Sequence, residues 1–401
     1  SAGTDTESVF ENKASSYISH SGASSSASSS PQIKKKLLSV QNVAYDWFGV
    51  CCGGAVTVGK NSKYGVINTN GKIIVPIEYD SIRGAMAPEG YTIAWKNSGS
   101  VFGKTAYIFD ATGKKLWETS ELDVMTCYQN TLIACSETEY DSYGSPLGCK
   151  LYLMTPEGKQ IAVYNDIDDF SQASENCIVL HEYHGSWFVV DLNGKIVTEK
   201  TIIWDDVDPP ALNRTVLVSS GLKNGYFSKR TVTDKSAIIS KDFSEVYSFF
   251  GSIADSAGTL FTAYGDYFYD PKADGGKYYL FDAAKIKTGN LKTNYLYASQ
   301  SLTPKGYDSI SLNTDQPYFL VSSDGKWGFL SRDGKTEKLY DDAGKFSDGN
   351  AIVLDNKKAY IIDSDFRRIS QEITGYDSVA TLGEGTYALY KNGKKYLAVY
   401  K

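Results

Sequence analysis

A motif that recurs along this chain is broken at the C-terminal end, and its missing half stands near the N-terminal end. The final residues, Lys395-Tyr396-Leu397-Ala398-Val399-Tyr400-Lys401, match the first half of a pattern whose fullest copy runs from Lys63 through Gly71-Lys72 and Pro76 to Tyr79-Asp80. The last copy stops where its turn should begin. Lys34 to Val40, followed by Tyr45-Asp46, reads as the strand that ought to come next. A repeat array split between its own termini is expected to close into a ring, sealed by a strand over residues 36–43.

The copies align on the polar residue that opens a turn: Asn68, Asp110, Thr155, Asp191, Asp234, Asp282, Ser331, Asp363 and finally Tyr400. Such a period means stacked supersecondary units that cannot bury their own faces alone. Gly71, Gly113, Gly158, Gly194 and Gly334 each stand three residues after the polar position and before a Lys. This is a hairpin device, a turn opened by a short polar side chain and closed by Gly in a left-handed conformation. Apolar runs such as Ala55-Val56-Thr57-Val58 and Ile178-Val179-Leu180 precede each hairpin, and runs such as Ile73-Ile74-Val75 follow most of them. A fourth segment opens at Tyr79-Asp80, Trp204-Asp205, Tyr307-Asp308, Tyr340-Asp341 and Tyr376-Asp377. Four short antiparallel strands per repeat is the content of a propeller blade. The expected fold is therefore all-β: a closed β-propeller of eight or nine four-stranded blades over residues 34–401, with an open β-repeat solenoid as the alternative. Composition agrees, since 30 Tyr, 17 Phe and 36 Gly beside 3 Met favour pleated surfaces and tight turns over long helices.

Lys326-Trp327-Gly328-Phe329-Leu330-Ser331-Arg332-Asp333-Gly334-Lys335, and the Tyr64-Gly65 copy with its Pro76 and Tyr79-Asp80, resemble the bacterial WG-repeat family. The other copies put Tyr or Phe where that family has Gly, as at Tyr107, Tyr152, Phe188, Tyr279 and Tyr360. The resemblance implies a β-rich repeat protein of the bacterial cell surface and brings no catalytic residues.

Residues 1–33 form a separate arm. Ser8 to Glu11 has the form of a capping box, and Phe10, Ala14, Tyr17 and Ile18 would share one face of a short helix. The Ser-rich stretch 21–31 reads as a flexible tether, of the sort that separates an anchor from a surface domain. The first residue is Ser, which points to a removed leader. Secretion or display on a bacterial surface, as a lipoprotein in one version, is the expected localisation.

The net charge of -6 offers no basic footprint for nucleic acid, and no apolar stretch is long enough for a transmembrane helix. Three His, no Gly-x-Ser-x-Gly elbow and no phosphate loop leave catalysis without its usual groups, so no enzyme, cofactor or metal is expected. His181, Glu182 and His184 are too few for a zinc site, and the Asp166, Asp168, Asp169 and Asp205, Asp206, Asp208 clusters lack the calcium-loop spacing. Six cysteines are too sparse for a disulfide framework, although Cys135 and Cys149 could face each other across a hairpin.

The recurring aromatic-Asp pairs have two readings. Placed on one face of a ring, Trp47, Tyr79, Asp80, Trp204, Asp205, Tyr307, Asp308, Tyr340, Asp341, Tyr376 and Asp377 would form a rim for a protein, peptide or glycan. A feature present in most blades more often packs blades together, and that reading is favoured. The expected function is a non-enzymatic binding or scaffold module. The alternative is a structural subunit that self-associates through residues 1–33. Sites are sought where the pattern breaks: Trp47 and Phe48, Trp204 with Pro209-Pro210, and the insertion after Asp282.

Overall fold

The computed structural model describes residues 37–400 apart from 87–89, 145, 175–176, 184–186, 198–216, 224–225, 231–234, 241–244, 251–252, 269–274, 287–294, 304, 314 and 336. The N-terminal helix and tether, His184, Trp204, Asp205, Asp206, Asp208 and Pro209-Pro210 lie outside the described residues. The described residues belong to one compact unit, Lys35–Lys401.

The first repeat sets the plan. Trp47–Cys52, Ala55–Lys60, Lys63–Asn68 and Ile73–Tyr79 form one antiparallel sheet in sequence order. The polar turns fold as the sequence requires: Asn68 Oδ1 accepts the Asn70 and Lys72 N–H groups at 3.0 Å each, and Gly71 closes the turn at φ 81°. Asp110 and Asp191 repeat the arrangement, and Gly113, Gly158, Gly194 and Gly334 all take positive φ.

The described strands form eight sheets carrying nine repeat units, whose first described strands are Trp47–Cys52 (unit 1), Ser81–Met86 (2), Asp123–Tyr128 (3), the second half of Gln160–Ser174 (4), Leu217–Lys223 (5), Ile253–Ala257 (6), Ser309–Ser311 (7), Asp342–Ala343 (8) and Ser378–Gly383 (9). Eight and nine are reconciled by the 15-residue strand Gln160–Ser174. Its first half pairs with Pro146–Met154 as the outer strand of unit 3, and its second half pairs with Cys177–Glu182 as the inner strand of unit 4. Two units therefore share one sheet. Unit 6 keeps three described strands, with Tyr307 bridging to Tyr278 where the fourth would lie.

The seal is the N-terminal strand, placed at Leu38–Tyr45 and so two residues later than the sequence suggests. It pairs antiparallel with Lys394–Tyr400 and completes the four-stranded sheet of unit 9, with a bulge between Val40 and Ala44. This sheet also packs on unit 1. Tyr45, Phe48, Val58, Leu382 and Leu397 share one apolar cluster, and Lys394 reaches Asp46 at 3.4 Å. The first and last units are thus in direct contact, as the propeller reading expects.

The core lies between sheets. Separate clusters join unit 1 to 2 through Val66, Tyr79 and Phe109, unit 2 to 3 through Ile108 and Leu132, and unit 7 to 8 through Phe329, Phe346 and Val353. Each sheet presents apolar side chains on both faces, which explains strands such as Ala55–Lys60 that are buried at five successive positions.

Candidate functional site

Asp46, Asp80, Asp308, Asp341 and Asp377 all stand where the chain crosses from the outer strand of one unit to the inner strand of the next. Each uses one carboxylate oxygen to accept a backbone N–H from the hairpin between its unit's second and third strands. The donors are Asn61, Asn97, Asp324 and Asn356 at 2.8 Å and Asn392 at 3.1 Å. A Lys at the start of the preceding unit's third strand supplies the ion pair: Lys63–Asp80 at 2.5 Å, Lys277–Asp308 at 2.6 Å, Lys326–Asp341 at 3.8 Å and Lys394–Asp46 across the seam. Lys104 and Asp123 add a fifth pair at 2.8 Å between units 2 and 3. These bonds lower the pKa values: the Lys63 ammonium and the Asn97 N–H hold Asp80 below the ordinary carboxylate range, and Lys277 does the same for Asp308.

The aromatic partners sit beneath this rim. Tyr79, Tyr307 and Tyr340 are 6%, 1% and 5% exposed, and burial raises the pKa of each phenol. Tyr79 packs edge-on against Tyr107 and Phe109 of the next unit, and Tyr340 against Phe329. Tyr376 is half-buried against Tyr396, and Trp47 is half-buried against Tyr64. The described members of the predicted set, which exclude Trp204 and Asp205, thus stand at the crossings between units, with contacts both within and between units.

The repeat fails in unit 3. Units 1, 7, 8 and 9 join their second and third strands by two-residue turns, such as Asn61-Ser62 and Asn392-Gly393. In unit 3 the connection runs from Ser136 to Pro146 and carries its own strand, Glu139–Tyr140, paired to Pro146–Met154. At the same junction the shared strand Gln160–Ser174 crosses to unit 4 with a bulge after Ile167, and Asp166 takes φ 56°. Between them opens a cleft of about 440 Å³ bordered by Phe102, Met125, Tyr140, Cys149, Asp168 and Phe170. A second hollow of about 420 Å³ adjoins it through Asp123, Met125 and Phe170 and adds Arg83, Trp95 and Lys104. Val101 and Tyr140 line the cleft and are 71% and 62% exposed, and Tyr143, in the same connection as Tyr140, is 92% exposed.

Polar groups in the cleft carry both signs. His181 Nδ1 and Asp168 Oδ1 are 2.5 Å apart, Arg83 donates to the Met125 carbonyl at 2.7 Å, and Lys104 lies over the Trp95 ring. All six cysteines are free, so the Cys135–Cys149 pair is a dithiol. Their thiols hydrogen-bond each other, which holds Cys149 below the ordinary thiol value and drives Cys135 well above it. No group of three His, Cys, Asp or Glu among the described residues is placed to hold a metal. Sequence reading passed over this cleft. The signal was present as the long Ser/Gly/Pro connection between Cys135 and Cys149, where units 1, 7, 8 and 9 have two residues.

Residues 64–96 match the family described as WG containing repeat. The chain therefore carries a WG repeat in its first unit and the crossing into the second. No curated protein sequence matches. Among solved structures, the chain is similar to the computationally designed Ika8 protein (11% identity, 81% of this chain and 98% of that one, TM-score 0.42). It is also similar to BamB from Moraxella catarrhalis (12%, 80% and 97%, TM-score 0.35) and to the C-terminal WD40 domain of Sif2 (9%, 92% and 99%, TM-score 0.36).

Proposed function

We propose that this chain is an exported, non-enzymatic binding module that takes a protein or peptide segment on its rim at units 2 to 4. The observation that carries the reading is the break at unit 3: five lysine–carboxylate pairs tie the rim together, whereas unit 3 raises a hairpin over an open cleft. Exposed Tyr140, which shares the cleft lining with Val101, and exposed Tyr143 in the same connection supply the large amphipathic side chains that anchor protein contacts at low entropic cost. The charges of Lys104, Arg83, Asp168 and Glu137 around that apolar centre suit a partner carrying both signs rather than a polyanion. Export rests on the composition of residues 21–31.

Screening the chain against peptide and glycan arrays tests the reading. Peptide ligands should bind about tenfold more weakly when Tyr140 and Tyr143 are both changed to Ser, the loss expected for hot-spot aromatics. Ligands that bind the variant equally well would place the site elsewhere, and arrays without hits would count against a binding module.

A further inference from the structure

Three sulfur atoms meet in the cleft from three strands. Met125 belongs to the inner strand Asp123–Tyr128, Cys135 ends Thr131–Cys135, and Cys149 lies in Pro146–Met154. Cys135 Sγ is 3.5 Å from Met125 Sδ, and the same thiol hydrogen-bonds Cys149. Cys135 is opposite Leu151 in the ladder, two residues beyond Cys149, so both cysteines project from one face of the sheet. All three residues are half-buried and border the cleft, which leaves a path from solvent.

The surroundings favour a cation. Asp123 and Asp168 line the cleft with the three sulfurs, Asp123 paired with Lys104 and Asp168 with His181, while Arg83 is engaged by the Met125 carbonyl. Two thiols and a thioether are soft donors. Calcium and magnesium seek oxygen ligands, zinc seeks a fourth ligand and has little affinity for a thioether, whereas Cu(I) accepts thiolate and thioether together.

We propose that Cys135, Cys149 and Met125 form a binding site for a soft monovalent cation, Cu(I), reached through the cleft of unit 3. On binding, each thiol gives its proton to solvent and its sulfur to the metal, and the Met125 thioether donates a lone pair without losing a proton. Copper keeps its oxidation state, so no oxidant or reductant takes part.

The test is an anaerobic titration of the full, reduced chain with Cu(I) against a coloured Cu(I) chelator, repeated with Ag(I) as a redox-inert probe. One equivalent should bind competitively, and Cys135→Ser or Cys149→Ser should each abolish it. Met125→Leu should weaken it by at least about tenfold, the loss seen even for residues that only support a metal site. Cys177→Ser should leave it unchanged. Equal binding by the Cys135→Ser and Cys149→Ser chains, with unchanged circular dichroism, would overturn the site and mark the metal as adventitious. Recovery of Cys135 and Cys149 as a disulfide that survives mild reduction would overturn it too. Peptide binding is read separately, so either proposal can fail alone.

Discussion

Asp80 accepts the Asn97 N–H with one oxygen and meets the Lys63 ammonium with the other, so one carboxylate fastens its own hairpin and the preceding unit at once. Asp46 and Asp308 do the same, and all three have folded pKa values below the ordinary 3.8. A carboxylate whose folded pKa is depressed stabilises the fold above its unfolded pKa and ceases to do so as pH falls through the folded one. The thermal midpoint is therefore expected to hold near neutrality and to drop on acidification below about pH 4, the unfolded carboxylate range. Replacing Asp80 and Asp308 by Asn should lower the midpoint at pH 7 and flatten that acid limb. An acid limb unchanged in the double variant, followed by differential scanning calorimetry, would show that other groups govern it. The sequence showed these aspartates as a recurring set but left their purpose divided between ligand and packing. Their partners explain why: the accepted N–H lies 15 to 17 residues along the chain and the lysine belongs to another unit, so neither is a local pattern.

At the scale of turns and strands, local chemistry was legible because its partners are near in sequence. Asn68, Asp110 and Asp191 bond backbone groups two and four residues ahead, and the glycine after each is fixed by positive φ. That glycine has a second duty that only the fold reveals. A Cβ on Gly113 would lie 2.2 Å from the Ile74 carbonyl oxygen in the outer strand of unit 1, and one on Gly334 would lie 2.4 Å from the Leu302 carbonyl oxygen. Gly113→Ala should cost about 1–3 kcal/mol through left-handed strain, before the clash is added. Gly99→Ala, with open space around it, should stay within about 0.5 kcal/mol of the parent in urea melts. Comparable losses at both positions would mean that chain flexibility, rather than the contact between units, sets the effect. The Gly of the aromatic-Gly pair is explained likewise. A Cβ on Gly65 would meet the Pro76 carbonyl oxygen at 2.7 Å, and one on Gly328 the Lys338 carbonyl oxygen at 2.0 Å. The cleft was hidden because Met125, Cys135, Cys149 and Phe170 come from four strands joined by an irregular hairpin, whose spacing carries no periodic signal.

Across the whole molecule the seam is the weakest-specified and most consequential contact. Beyond the strand pairing, Gln41 Nε2 donates to the Thr69 carbonyl at 2.9 Å, and the Glu384 carboxylate accepts the Gly53 and Gly54 N–H groups at 2.8 Å each. Removing residues 34–45 would strip the partner from Lys394–Tyr400 and leave a sheet edge open to other chains. The truncated chain should aggregate or melt far below the parent in size-exclusion and thermal scans. If it remains monomeric and melts like the full chain, the strand does not hold the ends together. The split repeat made this pairing readable in advance, with bounds of 36–43 against the observed Leu38–Tyr45, while the bulge between Val40 and Ala44 cannot be seen from pattern alone.

The strand Gln160–Ser174 divides the molecule's motions unequally. Because one uninterrupted backbone serves both unit 3 and unit 4, neither can fray without pulling on the other's ladder. Amide protons of Leu151–Leu153 and of Val179–Leu180 should then exchange with solvent deuterium as one cooperative block, while neighbouring units open independently. The cleft stands at the midpoint of that block, so an occupant settling there would slow exchange on both sides at once.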